Sequence, residues 1–266
     1  MTVGVLKPYM LLWSHLELLV RVIEMTLRQR YLGTVLGVGW HFLAPLTLIG
    51  AYAAFFICVL GVTPANLSRA EYAAHLTTGL VLYLTLSQCL TAATGALTQD
   101  PSLLFNKVFP AELFPVREVL LGAPLLAAGL LIAVVWGLAA GTFGWTWLWL
   151  PLILLLFIQA IIGCAWVLAL ANLITKDVAQ LLSFALTLIM LTSPIAYEPE
   201  MLPPTARLLL GANPIAHFIG SVQQIVVHGA SPSFGQLFGI TITAIACFHI
   251  GFLLFMKGKG IIAESV

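Results

Sequence analysis

From Val119 to Thr175 the chain runs 57 residues without one Asp, Glu, Lys or Arg. A bilayer core asks only about 20 apolar residues of each crossing helix, so the run is long enough for two spans, with Gly141-Thr142-Phe143-Gly144 as the turn between them. The same habit holds along most of the 266 residues, 61% hydrophobic and 8% charged, which is the composition of a polytopic membrane protein. No stretch remains for a soluble catalytic domain, so any ATP hydrolysis that drives this protein belongs to another chain.

The pattern predicts an all-α protein with a single transmembrane domain over 1–266 and six spans, at about 36–61, 73–98, 115–140, 146–173, 178–197 and 236–256. Residues 9–30 are not a span. Glu17, Arg21, Glu24 and Arg28 form a charged stripe with two Glu-to-Arg pairs four residues apart, and Leu12, Leu16, Leu19, Val20, Ile23 and Leu27 cover the other side. This reads as an amphipathic helix in the membrane interface; a solvated helix packed on a partner is the alternative. Arg117 and Glu118 fall in the first turn of the third span, where they can snorkel to the interface or pair with neighbours.

Residues 208–228 are apolar enough to cross, but Asn213-Pro214 breaks the run near its start. If they do not cross, Lys7, Arg21, Arg28, Arg30, Lys107, Arg117, Lys176, Lys257 and Lys259 share the cytosolic side with both termini, and only Arg69 and Arg207 lie outside. The excess of Lys and Arg in cytosolic segments favours that arrangement. Residues 198–232, with Pro203-Pro204 in the first limb, then form an external re-entrant hairpin, which survives at membrane depth only when enclosed by protein or beside a water-filled cavity.

The sequence lacks a GxxxxGK[ST] phosphate loop, HExxH and GxSxG. Cys58, Cys89, Cys164 and Cys247 sit in apolar runs as small hydrophobes, and no metal site or cofactor is expected. His41, His75, His217, His228 and His249 read as satisfied or solvated side chains. No carboxylate or lysine lies near the midplane of a span, which argues against an ion-driven carrier and against an intramembrane acid/base enzyme.

Uncharged polar stripes do occur. The second span carries Ser87, Thr91, Thr94 and Thr98, the fifth Gln180, Ser183 and Thr187, and the first His41, Pro45, Tyr52 and Phe56 on roughly one face. Ser and Thr often serve as packing contacts between spans. The other reading is a neutral conduit lined by hydroxyls and aromatic rings, with Trp40, Tyr52, Phe56 and Tyr83 as the aromatic lining; such faces match sugar rings and hydroxyls without charge.

The predicted cytosolic loop over 99–113 holds Leu103, Leu104, Phe105, Val108 and Phe109, too apolar for an idle loop in water. It reads as a short amphipathic helix docked in a groove of a cytosolic partner, or as a helix lying on the bilayer surface. At this point the chain resembles a known family, the membrane subunits of ABC-type exporters of polysaccharides and polyol phosphates, which include O-antigen, capsule and teichoic acid permeases. Arg28 to Leu46, RQRYLGTVLGVGWHFLAPL, is similar to the family's basic run followed by Tyr-x-Gly-Ser-x-Leu-Gly and Trp-x-Phe-Leu-x-Pro, with Thr34 in place of Ser and Ala44 where Asn is common. Leu103 to Pro115 resembles a Lys-x-x-Phe-Pro-x-Glu-x-x-Pro pattern. Lys176-Asp177, Ser193-Pro194-Ile195-x-Tyr197 and Asn213-Pro214 follow in family order.

The resemblance implies a half-transporter: a second copy of the chain pairs with it around a channel, and two cytosolic ATPase subunits hold the ATP and Mg. It implies that Lys107, Val108, Phe109, Pro110 and Glu112 receive motion from the ATPase. It also implies that Arg28, Arg30 and Tyr31 stand at the cytosolic entrance for an undecaprenyl-pyrophosphate-linked glycan, and that Tyr197, Pro203, Asn213 and Pro214 belong to an external gate. The expected location is the bacterial inner membrane. Rival readings are a drug or lipid permease, a channel or ion-coupled carrier without an ATPase, and a scaffold within a glycan synthase complex.

Overall fold

The computed structural model describes residues 6–59, 61, 67–98 and 110–265, with the side chains of residues 206, 209 and 261–265 left aside. Among the described residues the regular structure is all helical. The first two helices are α1 (Lys7–Ser14) and α2 (Leu16–Arg30), and α3 (Trp40–Ala54) is extended by a π turn over Phe55–Val59. Next come α4 (Arg69–Gly95), α5 (Leu113–Ala140) and α6 (Trp149–Ile174). They are followed by α7 (Asp177–Thr192), the short α8 (Pro204–Ala212) and α9 (Pro214–Val226), and the long α10 (Phe234–Ser265).

Five helical stretches are long and apolar enough to cross a membrane: Gly37–Val59, Arg69–Gly95, Leu113–Ala140, Trp145–Ile174 and Phe234–Gly260. The expected fifth span differs from its prediction. Its helix ends at Thr192, and Ser193 turns extended with ψ 141°. Sixteen helical residues at about 1.5 Å each fall short of a 30 Å hydrocarbon core. The expected helix over 9–30 is likewise divided, at His15. Of its two predicted ion pairs the structure closes Arg28 to Glu24, at 2.6 Å.

Local chemistry sets the ends. Ser68 and Glu71 form a reciprocal capping box at the start of α4. Asn213 accepts from Ile215 N at 3.0 Å and Pro214 opens α9 without needing its missing N–H. Gly141 closes α5 in the left-handed conformation at φ +70°.

The core is built around α4, which packs against α3, α5, α6, α7 and α9. In its most apolar stretch 72% of residues are buried, against 11% in the stretch containing α3. The closest helix pair is α6 with α10. A Cβ on Gly163 would overlap the Cys247 carbonyl, and one on Gly251 would overlap the Gly163 carbonyl. These two helices meet backbone to backbone, the packing that small residues permit between membrane helices.

Antiparallel succession sorts the molecule into two ends. Arg30, the starts of α5 and α7 and the Lys257–Lys259 region of α10 gather at one, the charged end. The start of α4, the α5–α6 turn, the segment after α7 and the close of α9 gather at the other, where Thr142 Oγ1 donates to Val226 O at 2.8 Å.

Candidate functional site

At the charged end two carboxylates are buried. Glu112, just before α5, is 2% exposed. Its Oε1 accepts from Lys259 Nζ of α10 at 2.6 Å, and its main-chain oxygen accepts from the indole N–H of fully buried Trp166 in α6 at 2.9 Å. Among the described residues its Oε2 is buried without a donor. Glu118, one turn and a half further on, pairs with Arg117 through Nε at 2.9 Å and Nη2 at 2.7 Å, and with Arg30 Nη2 at 3.5 Å. The guanidinium of Arg117 also lies 5.5 Å from the ring centre of Phe114. Arg117 and Glu118 therefore pair inside the protein and do not snorkel.

Of the residues expected at the entrance, both cations are paired and the tyrosine is hydrogen-bonded. Arg28 holds Glu24, Arg30 holds Glu118, and the Tyr31 hydroxyl lies 3.2 Å from His41 Nδ1. His41 Nε2 lies 2.6 Å from the Leu121 carbonyl. A carbonyl only accepts, so Nε2 carries the hydrogen of that bond. Pro45 and Pro124 lie close by in the two helices, each removing a main-chain donor from its helix. His41 thus ties the start of α3 to α5. Of the expected contact segment, Lys107, Val108 and Phe109 lie outside the described residues, while half-buried Pro110 and buried Glu112 lie within them.

Some of the expected lining residues meet where α3 and α7 both pack on α4. Tyr52 and Phe56 of α3 share a cavity of about 200 Å³ with Leu80 of α4 and Met190 and Tyr197 at the end of α7. Buried Tyr83 donates to Leu186 O at 3.3 Å. Ser87 is half-buried, and Trp40, Thr91, Gln180, Ser183 and Thr187 are exposed. On α7 the polar stripe borders the buried side made by Leu182 and Leu186, while Leu181, Phe184 and Leu188 occupy the outward face. Among the described residues no cluster of His, Cys, Asp and Glu could hold a metal ion.

At the far end, the non-helical segment after α7 is held by side chains from two other helices. Tyr72 of α4 donates to Ala196 O at 3.0 Å, and His75 Nε2 lies 3.3 Å from Tyr197 O. Gln223 of α9 donates to Pro194 O at 2.8 Å and to His75 O at 3.1 Å. Asn213 Nδ2 donates to Thr192 Oγ1 at 3.1 Å and Ser193 Oγ at 3.0 Å. Main-chain groups that leave a helix inside a packed apolar bundle need such partners. Of the expected gate residues, Tyr197 and Asn213 take part in this clamp, Pro214 starts α9, and Pro203 precedes α8. The pattern gave no reason to single out Tyr72, Gln223, Trp166 or Lys259; the Gln223-Gln224 amide pair within an apolar helix was the available signal.

A family model described as "ABC-2 type transporter" matches residues 17–227. Among curated relatives, an "O-antigen export system permease protein RfbA" of Myxococcus xanthus is 24% identical over 258 residues, 96% of this chain and 97% of the relative. A protein of the same description from Klebsiella pneumoniae is 24% identical over 250 residues, 93% of this chain and 94% of the relative.

Proposed function

Since the chain belongs to the ABC-2 type transporter family, whose membrane subunits work with a cytosolic ATPase, we propose that it exports an undecaprenyl-linked polysaccharide, O-antigen-like or capsular, across the bacterial inner membrane. The chain is the transmembrane subunit of an ABC exporter. Two copies enclose the channel, and each binds an ATPase subunit that holds the ATP and Mg. The charged end faces the cytosol, α7 with the segment after it makes the fifth of six crossings, and α8–α9 return as a hairpin to the face they left.

The observation that carries this reading is the flank between α3 and α7. It presents Thr91, Gln180, Ser183 and Thr187 to the surface, and Tyr52 and Phe56 line the cavity shared with Met190 and Tyr197. Hydroxyls, an amide and ring faces suit a neutral glycan. The end-to-end similarity to two proteins described as O-antigen export permeases supports the same cargo class. In this mechanism the chain performs no covalent chemistry. ATP binding moves residues 99–113 through Lys107, Val108, Phe109, Pro110 and Glu112. The lipid-linked head group is met at the cytosolic entrance by Arg28, Arg30 and Tyr31. The segment around Tyr197, with Pro203, Asn213 and Pro214, opens at the outer end.

The test is a deletion strain in which surface glycan and cytosolic lipid-linked glycan are quantified together. Loss outside with accumulation inside is the expected result. Unchanged glycan in both pools overturns the cargo and favours a drug or lipid permease.

A further inference from the structure

Resting on the reading of this chain as an ATP-driven permease, we propose that α10 belongs to the coupling apparatus and that Lys259 is its positioning residue, holding the junction between residues 99–113 and α5. Glu112 marks that junction. Its carboxylate is buried, and of its two oxygens one is satisfied by Lys259 and the other has no donor among the described residues. A buried carboxylate with a single cationic partner depends wholly on that partner for its position. Glu118 differs, because Arg117 and Arg30 share it.

The main chain of Glu112 is fixed as well. Trp166 donates to its carbonyl and packs its ring 5.1 Å from Phe248 and 5.4 Å from Phe252 of α10. Glu112 is therefore fastened by its side chain to α10 and by its backbone to α6, the two helices that meet through Gly163 and Gly251. A displacement entering through residues 99–113 reaches this helix pair as one body. From there Phe157 of α6 contacts Phe218 of α9, ring centres 5.3 Å apart, and α9 carries the Gln223 that holds the far-end segment. Lys259 stands at the head of a continuous packed route between the two ends.

Lys257 supplies the control. It is exposed on the same helix two residues away, and among the described residues it makes no ion pair.

The experiment measures amide hydrogen exchange of the Ser193–Glu198 segment in the complex of this chain with its ATPase subunit, without nucleotide and with ATP plus vanadate. The wild-type complex, Lys257→Met and Lys259→Arg are expected to show a nucleotide-dependent change in exchange. Lys259→Met is expected to lose at least four-fifths of it while hydrolysing ATP within about twofold of wild type. A full nucleotide response in Lys259→Met overturns the proposal, as does the absence of any response in the wild-type complex. If Lys259→Met fails to insert, the exchanged pair Glu112→Lys with Lys259→Glu takes its place. A wild-type response from that pair supports the latch, and an inserted pair without response overturns it. None of these readings depends on the cargo, so failure of the glycan assignment appears separately, in the deletion strain.

Discussion

The side-chain amide of Gln223 lies 2.8 Å from the carbonyl oxygen of Pro194, so a buried residue of α9 supplies the hydrogen bond that the chain gives up when α7 ends. The same amide also serves His75 O. Replacing it with Leu keeps the bulk and strands two buried acceptors, at about 1–3 kcal/mol. Gln223→Leu is expected to lower the melting temperature of the detergent-purified protein and to raise protease cutting near Ser193–Glu198. Melting and cleavage both at wild-type levels would refute this role.

Gly163 and Gly251 have no room for a side chain, since a Cβ on either meets main-chain atoms of the facing helix. Gly163→Leu and Gly251→Leu are expected to reduce the membrane-inserted protein severely. Gly220→Ala in α9, where a Cβ meets nothing within 4 Å, is expected to accumulate normally. Quantitative blotting of membrane fractions decides it.

Glu118 is buried between Arg117 and Arg30, so removing its charge takes a carboxylate from two ion pairs at once. Such losses cost about 3–5 kcal/mol, whereas exposed pairs are worth about 0–1 kcal/mol. Unfolding titrations in mixed micelles are expected to show a large loss for Glu118→Gln and almost none for Glu24→Gln, whose pair with Arg28 is solvent-exposed.

Thr187 and Ser183 lie exposed at the edge of α7, and the Thr187 hydroxyl donates only to its own helix, at 3.0 Å from Ser183 O. Surface changes of this kind shift stability by no more than about 0.5 kcal/mol. If this flank conducts glycan, Thr187→Leu with Ser183→Leu will cut surface glycan several-fold at unchanged melting temperature. Normal export from this double variant would take the lining away from α7.

Phe109→Asp tests the cytosolic docking face. The expected outcome is normal insertion with loss of export, read as surface glycan per unit of membrane-inserted protein; normal export removes the coupling role from Phe109.

Hydropathy made five of the crossings legible, because runs such as Val119–Thr175 leave no alternative to lipid. It overran α7, since no charged residue separates Ser193 to Tyr197 from the helix before it. What ends the helix there is Ser193-Pro194 and the donors that receive the chain from Tyr72, His75 and Gln223, three residues far away in sequence. The break at His15 was invisible for a similar reason, because both halves keep the same amphipathic period. The polar stripes of α4 and α7 could be read directly, but not which members face outward: Thr94 is buried and Thr91 exposed. Long-range pairs such as Glu112 with Lys259 carry no local pattern at all.

The glycine seam between α6 and α10 also imposes an order on biogenesis. Gly163 leaves the ribosome well before Gly251, so a nascent α6 waits with its smallest face against lipid or the insertion machinery. Glu112 waits alongside it, already made and still without the ammonium group that Lys259 will bring. Until α10 arrives, the newborn bundle carries an unneutralised acid at its base, a lesion that quality-control proteases can recognise in any molecule whose synthesis stops early.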